Sequence, residues 1–230
     1  MDTEPSAMKM LALIPSRSRP QAAKELWKAF EATESSCRLL FAVDEDDETL
    51  EQYIDLLGEE MVAITPSAGV RGVVYPLNYW TRIFKNDYEY FAFMGDDHRP
   101  RTKGWDKALA KVIDMGADIA YGDDLLQGRN LATAGVIAAR IVRAFDGMAP
   151  DCLQHLYVDN FWMQVGSDLK TLYYCTDVII EHLHFINGKA PKDELYAAIN
   201  DPVRYREDGE RLRHYIASDE YKQIIESLKN

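Results

Sequence analysis

The sequence predicts an α/β protein: a mostly parallel sheet with helices on both faces, followed by a C-terminal helical appendage. Three observations predict it. Short apolar blocks alternate with stretches of helical spacing from residue 8 to residue 121. Most of the early blocks end in polar clusters rich in Asp, Ser, Gly or Pro. Such alternation is what a chain of parallel strands joined by crossover helices requires. The composition agrees: 47% apolar, 28% charged and 11% aromatic over 230 residues is globular and long enough to bury a full core.

The first block, residues 8–14 (MKMLALI), reads as a buried strand that stops at Pro15-Ser16-Arg17-Ser18-Arg19-Pro20. Residues 21–33 have helical spacing, with Leu26, Ala29 and Phe30 sharing a face with Ala22 and Ala23. Residues 39–43 form a second strand running into Asp44-Glu45-Asp46-Asp47. A helix over 48–57, a short strand over 61–64 and a helix over 73–84 follow. Residues 88–94 (YEYFAFM) are an aromatic strand ending in Gly95-Asp96-Asp97-His98. Residues 103–115 are an amphipathic helix, and 118–121 a strand closed by Gly122-Asp123-Asp124. The second half is less regular. It reads as helices over 135–145 and 158–165, strands over 171–174 and 178–184, and helices over 193–199 and 208–228. No repeat or low-complexity linker interrupts it, so one domain over 1–230 is the simplest organisation.

Charge and cysteines narrow the function classes. The formal charge is −12, whereas a sequence-independent nucleic-acid binder carries a basic surface. Cys37, Cys152 and Cys175 are odd in number and widely spaced, so they read as core residues in a reducing compartment, not as a disulfide framework or zinc cluster. No apolar run approaches the roughly 18 residues of a membrane span. The opening MDTEPSAMKM is acidic and polar, unlike a secretory signal, and a cytoplasmic location is expected.

Ligands of open α/β sheets bind beyond the carboxyl ends of the strands. Four such ends carry polar clusters: Ser16, Arg17 and Arg19; Asp44 and Asp46; Asp96, Asp97 and His98; Asp123 and Asp124. Each taken singly is what a turn needs. Together, with arginines facing acids, they suit a phosphorylated ligand held by arginine and a divalent cation. The phosphate loop Gly-x-x-x-x-Gly-Lys-Ser/Thr, a Gly-x-Gly-x-x-Gly after the first strand and a Gly-x-Ser-x-Gly elbow are all missing.

The order of these segments resembles the glycosyltransferases of the GT-A fold, in the style of family 2. Ile14-Pro15-Ser16-Arg17 resembles the opening strand and loop that cradle the nucleotide, and Val43-Asp44-Glu45-Asp46 the second strand, whose acid contacts base or ribose. Residues 93–100 (FMGDDHRP) resemble the Asp-x-Asp segment and its following proline. Tyr157-Val158-Asp159-Asn160 with Phe161-Trp162 resembles the acceptor-side helix that carries a catalytic base. With Glu181-His182-Leu183-His184 and Gly188-Lys189, the string is also similar to bacteriophage-type glycosyltransferases. The resemblance implies a GT-A-like, Rossmann-related sheet. It implies a nucleotide-binding half over residues 8–100, an acceptor and metal half over 101–196, and a helical tail over 197–230. Aligning Pro100 with the family's proline sets Asp-x-Asp on Gly95-Asp96-Asp97, so the first acid is absent and Asp97 keeps the metal position.

The resemblance and the chemistry together name candidate residues. A nucleotide sugar leaves a diphosphate behind, and a divalent cation with arginine or lysine stabilises the charge that develops. The expected cofactor is Mn²⁺ or Mg²⁺, with Asp97 as first ligand. On a strand, His182 and His184 project to one side; His184 is the first choice as second ligand and His182 its substitute. Pro15, Ser16 and Arg17 are expected along the nucleotide, Asp44 on base or ribose, Asp96 on ribose, and Arg71 or Lys189 on the diphosphate. An acceptor hydroxyl needs a base, and Asp159 is the candidate, with helix capping as its structural alternative. The loop over 122–129 holds donor sugar or acceptor, or is a surface turn. Trp80, Trp105 and Trp162 read as core tryptophans rather than sugar platforms.

The expected function is therefore metal-dependent transfer of a sugar from a UDP- or GDP-type donor, inverting through an Asp base. The acceptor is left open between a modified DNA base, a virion protein and a glycan. A sugar-phosphate nucleotidyltransferase and a non-catalytic nucleotide-sugar binder remain as alternatives.

Overall fold

A computed structural model describes residues 9–67, 69, 72–190 and 201–229. In chain order the elements are β1 (Met10–Pro15), α1 (Pro20–Ala32), β2 (Arg38–Asp44), α2 (Leu50–Leu57), β3 (Val62–Thr65), α3 (Val74–Phe84), β4 (Tyr90–Phe93) and β5 (His98–Pro100). Then come α4 (Trp105–Asp114), β6 (Ile119–Asp123), β7 (Gly135–Ala138), α5 (Ala139–Ala144), α6 (Val158–Leu169), β8 (Leu172–His182), α7 (Pro202–Ala217) and α8 (Asp219–Lys229). The strands form one sheet in the order β3-β2-β1-β4-β7-β6-β8-β5. Strands β1 to β4 are parallel, β7 runs against both β4 and β6, β8 is parallel to β6, and β5 runs against β8.

The period of two along β1 explains the layering. Met10, Ala12 and Ile14 enter one core with α1, α2 and α4, among them Leu26, Phe30, Tyr53, Trp105 and Leu109. Leu11 and Leu13 enter the other, with Leu77 of α3 and Phe161, Trp162 and Val165 of α6. A strand covered on both faces needs a continuous apolar run, which is what residues 10–14 supply. The helices α7 and α8 are not an outlying tail: Leu212, Tyr221 and Ile225 are buried in that second core.

Three expectations are corrected. Residues 135–138, expected to open a helix, form β7, which is wholly buried between β4 and β6. A four-residue apolar run carries no period that separates strand from helix. The strands expected over 171–174 and 178–184 are one, β8, with a register break opposite Gly122/Asp123 and an end at His182. The helix expected over 208–228 is two, broken at Ser218, and the first begins earlier, at Pro202. Strand β5 was not expected at all; three residues ending in proline give little pattern to read. The helix expected over 193–199 lies outside the described residues.

Other readings are resolved by burial. Trp105 and Trp162 are fully buried in the core. Trp80 donates to the Thr65 hydroxyl at 3.0 Å. The three cysteines are free; Cys37 and Cys175 are half-buried, and Cys152, expected in the core, is exposed. Among the described residues no helix is long and apolar enough to cross a membrane.

Candidate functional site

A cavity of about 600 Å³ opens at the carboxyl ends of β1, β2 and β4 and is closed from the far side by residues 155–159 and α7. Pro15, Ser16, Arg17, Asp44, Asp96, Asp97, Asp159 and His182 all line it, so residues up to 167 positions apart in sequence meet at one place. His184 and Lys189 are not among its lining residues. The Lys189 ammonium instead pairs with Glu181 at 2.6 Å, on the strand that bears His182. Arg71 lies outside the described residues.

On the first wall, each charge is already answered. Arg17 reaches Asp44 at 2.7 Å and Asp46 at 2.8 Å. Burial raises the Asp44 carboxyl above its ordinary value despite that arginine. The Ser16 hydroxyl donates to Asp96 at 2.6 Å and meets the Tyr53 hydroxyl at 2.7 Å; the Arg19 amide donates to that same Tyr53 oxygen at 2.9 Å. One proton per hydroxyl fixes the direction: Arg19 N–H to Tyr53, Tyr53 to Ser16, Ser16 to Asp96. Burial, helped by the charge of Asp97, pushes the Asp96 carboxyl up to about 6, while Ser16 and Arg19 hold it down.

The floor of the cavity is a cluster of one carboxylate and two imidazoles. Asp97, His98 and His182 place ligand-type atoms within 4.8 Å of one another. The antiparallel pairing of β5 with β8 is the cause, because it sets His98 directly opposite His182. Their rings stack with centroids 4.2 Å apart and planes 20° from parallel. Asp97 reaches His98 Nδ1 at 3.2 Å and His182 Nε2 at 3.3 Å. Burial alone would raise the Asp97 carboxyl, but His182 and His98 beside it hold it well below its usual range. Gly95 is part of this arrangement. Its amide donates to His98 Nδ1 at 3.1 Å, and a Cβ at that position would stand 2.5 Å from the Asp97 carboxylate. The acid missing from position 95 has no room beside Asp97 as it is held.

These residues fit a divalent cation. His98 Nδ1 accepts a hydrogen bond from the Gly95 amide and faces a carboxylate oxygen, so two acceptors converge and need positive charge nearby. His182 Nε2 faces the same carboxylate at 3.3 Å, and Asp124 and Asp97 raise its pKa to about 9 against burial, so a bound cation would take the place of its proton. Among the described residues His98 Nε2 and His182 Nδ1 are buried without hydrogen-bond partners, the latter 3.8 Å from Asp124. His184 stands outside the trio among the described residues. Strand pairing ends at His182, and the His184 ring accepts the Ile186 amide at 3.3 Å, capping a short turn. The backbone of His184 is still extended, and its ring centroid lies 5.1 Å from that of His182.

Asp159 lies at the second position of α6, after the N-cap residue Tyr157, which has φ +66°. It is therefore not the helix cap that Asp favours, though its Oδ1 accepts the Asn160 amide at 2.8 Å. Burial raises its carboxyl above the ordinary value. Asp124, in the loop over 122–129, accepts the amides of Leu126, Gln127 and Gly128 and the Thr133 hydroxyl, all within 2.9 Å, so this acid organises its own loop. Two titratable cavity residues, His155 and Arg204, were not singled out from sequence, and His98 was read only as part of a strand-end cluster, not as a ligand. Arg204 sat in the expected tail, and no local pattern ties α7 to a site some fifty residues earlier.

No family model and no curated protein sequence matches the chain. Solved structures do. Residues 1–349 of Staphylococcus aureus TarS in complex with UDP-GlcNAc match with a TM-score of 0.62 at 13% identity, over 95% of this chain and 70% of that one. The fold is GT-A-like. The same TarS fragment with UDP matches with a TM-score of 0.52 at 12% identity, over 92% of this chain and 73% of that one. A putative glucose-1-phosphate thymidylyltransferase from Bacillus anthracis in complex with a sucrose matches with a TM-score of 0.52 at 9% identity, over 86% and 99%. At these identities the likeness concerns the fold, and these structures carry no link to bacteriophage proteins.

Proposed function

We propose that this protein is a metal-assisted glycosyltransferase that moves a sugar from a nucleotide-sugar donor to an acceptor hydroxyl with inversion. The observation that carries the reading is the convergence, in one cavity, of strand-end arginines and acids, the Asp97-His98-His182 cluster and Asp159. TarS, which has a similar fold, holds UDP-GlcNAc, and that supports a UDP-type donor.

In this reading Pro15, Ser16 and Arg17 line the nucleotide, Asp44 accepts from base or ribose, and Asp96 from ribose. Arg71 and Lys189 are proposed for the diphosphate, each carried by a glycine-bearing segment. Asp97, His98 and His182 would hold a divalent cation, which stabilises charge on the departing diphosphate when bound. Two imidazoles beside one carboxylate favour Mn²⁺ over Mg²⁺, which prefers an all-oxygen shell. Asp159 takes the proton of the attacking hydroxyl; its raised pKa makes it a stronger base than a solvated aspartate.

The test is donor turnover on UDP-GlcNAc and related nucleotide sugars with Mn²⁺, with chelator, and with Asp97→Ala. Mn²⁺-stimulated turnover that chelator and Asp97→Ala both abolish is the expected result. Full activity in chelator or in the variant overturns the metal reading. The likeness to the putative thymidylyltransferase keeps one second reading, nucleotidyl transfer to a sugar phosphate. Pyrophosphate release from a nucleoside triphosphate would establish it instead.

A further inference from the structure

The cavity wall built by α7 has positive charge that no carboxylate among the described residues answers. Arg17 and Arg19, the other cavity arginines, face acids: Arg17 meets Asp44 and Asp46, and Arg19 stands 3.5 Å from Asp96. Arg204, the third residue of α7, lines the same cavity half-buried and makes no hydrogen bond or ion pair among the described residues. His155 lines the cavity too, and its Nδ1 is buried with no partner. In a chain of net charge −12, a half-buried cavity arginine with no acid beside it among the described residues leaves its guanidinium donors open to an anionic ligand.

The wall is held firmly. Asp208 of α7 accepts the amides of His155 and Leu156 at 3.0 Å each and is tied to Arg211 at 2.8 Å. From the other side, Gly72 presses on residue 154: at φ +139°, a Cβ there would fall 2.1 Å from the Gln154 carbonyl oxygen. A helix and a glycine thus flank the loop, and the backbone that carries His155 is tied to the helix that carries Arg204. Burial, with the neighbouring charges of Arg204 and Arg19, pushes the His155 imidazole down to about 4. An anion between these groups would relieve that crowding of positive charge.

We propose that Arg204 and His155 form an anion subsite that takes a phosphoryl group of the bound ligand. The subsite deepens the glycosyltransferase reading, and the phosphoryl group has two sources there: the donor diphosphate or a phosphorylated acceptor. A guanidinium meets phosphate through two parallel N–H bonds, which a lysine cannot reproduce.

Calorimetry in the presence of chelator tests it, with inorganic pyrophosphate as one probe and methyl phosphate, added to pyrophosphate-saturated protein, as the other. Arg204→Gln is expected to weaken one of them by about tenfold or more, with Arg204→Lys recovering part of the loss. Loss of pyrophosphate binding assigns the subsite to the donor; loss of methyl phosphate binding alone assigns it to the acceptor. His155→Leu is the second variant, read beside Arg204→Gln if the latter lowers the melting temperature. Equal affinities in the wild-type protein and both variants overturn the proposal, as does a wild-type protein that binds neither probe. Arg204-dependent pyrophosphate binding without turnover of any nucleotide sugar leaves the subsite standing and removes the glycosyltransferase reading.

Discussion

The two walls of the cavity follow opposite electrostatic plans. The wall at the ends of β1, β2 and β4 is self-sufficient: Arg17 sits between Asp44 and Asp46, and Ser16, Tyr53 and Arg19 bind one another and Asp96. Among the described residues, the wall made by residues 155–159 and α7 carries unmet demand, in Arg204 without an acid and His155 without a partner for Nδ1. Between them lies the Asp97-His98-His182 cluster, half satisfied, with buried ring nitrogens still open. A network complete without ligand is preorganised and loses little order on binding. An incomplete one gains most when the ligand arrives. The first wall is suited to holding a shape, the second to recognising charge.

Substitutions can break this contrast, and the largest effect is expected at the base. Asp159→Asn should cut transfer by about 10²- to 10⁴-fold while donor and metal binding persist. Asp159 is not the cap of α6, so a purely structural role predicts an unchanged rate and a shifted melting temperature; measuring both on this variant decides. A smaller effect is expected on the first wall. Asp44→Ala removes one of two acids holding Arg17 and should weaken nucleotide affinity by about 1–3 kcal/mol, the scale of a charged hydrogen bond. Unaltered affinity by calorimetry would return Asp44 to a purely local role.

The smallest effect sharpens the second wall. The His155 pKa of about 4 lies below the ordinary 6.5. As pH falls through 6.5 the unfolded chain takes up a proton that the folded chain refuses. Stability is therefore undiminished above that value and declines toward pH 4, where the folded form begins to protonate. Arg204 and Arg19 oppose that protonation, and Asp208 favours it. Melting curves across this window should be flatter for His155→Asn than for the wild-type protein; parallel curves would show that His155 titrates normally.

The first half of the fold was legible because β1 and β2 are continuous apolar runs ending in turn residues, a pattern local to each strand. Strand β7 was not, since four buried residues carry no period, and its strand pairing is imposed by β4 and β6. The site divides in the same way. Pro15, Ser16, Arg17, Asp44, Asp96 and Asp97 follow their strands directly and could be named from sequence. The place of His98 opposite His182 depends on a pairing between residues more than eighty positions apart. The pairing of β8 ends at His182, two residues short of His184, whose ring nonetheless lies 5.1 Å from that of His182. Arg204 owes its position to Asp208 and the packing of Leu212, which are tertiary facts with no sequence period.

The bond between Asp208 and the loop amides also has a consequence for synthesis. A ribosome makes residues 9–190 before it makes α7, so the strand ends, the Asp97-His98-His182 cluster and Asp159 all emerge first. Until Asp208 arrives, the amides of His155 and Leu156 lack their acceptor, and the tyrosine beneath which Gly209 packs has no support. Domains fold largely as units as they emerge, and the loop over 155–159 waits for α7. A chain cut before α7 would keep Asp97, His98 and His182 but lose the carboxylate that holds this loop.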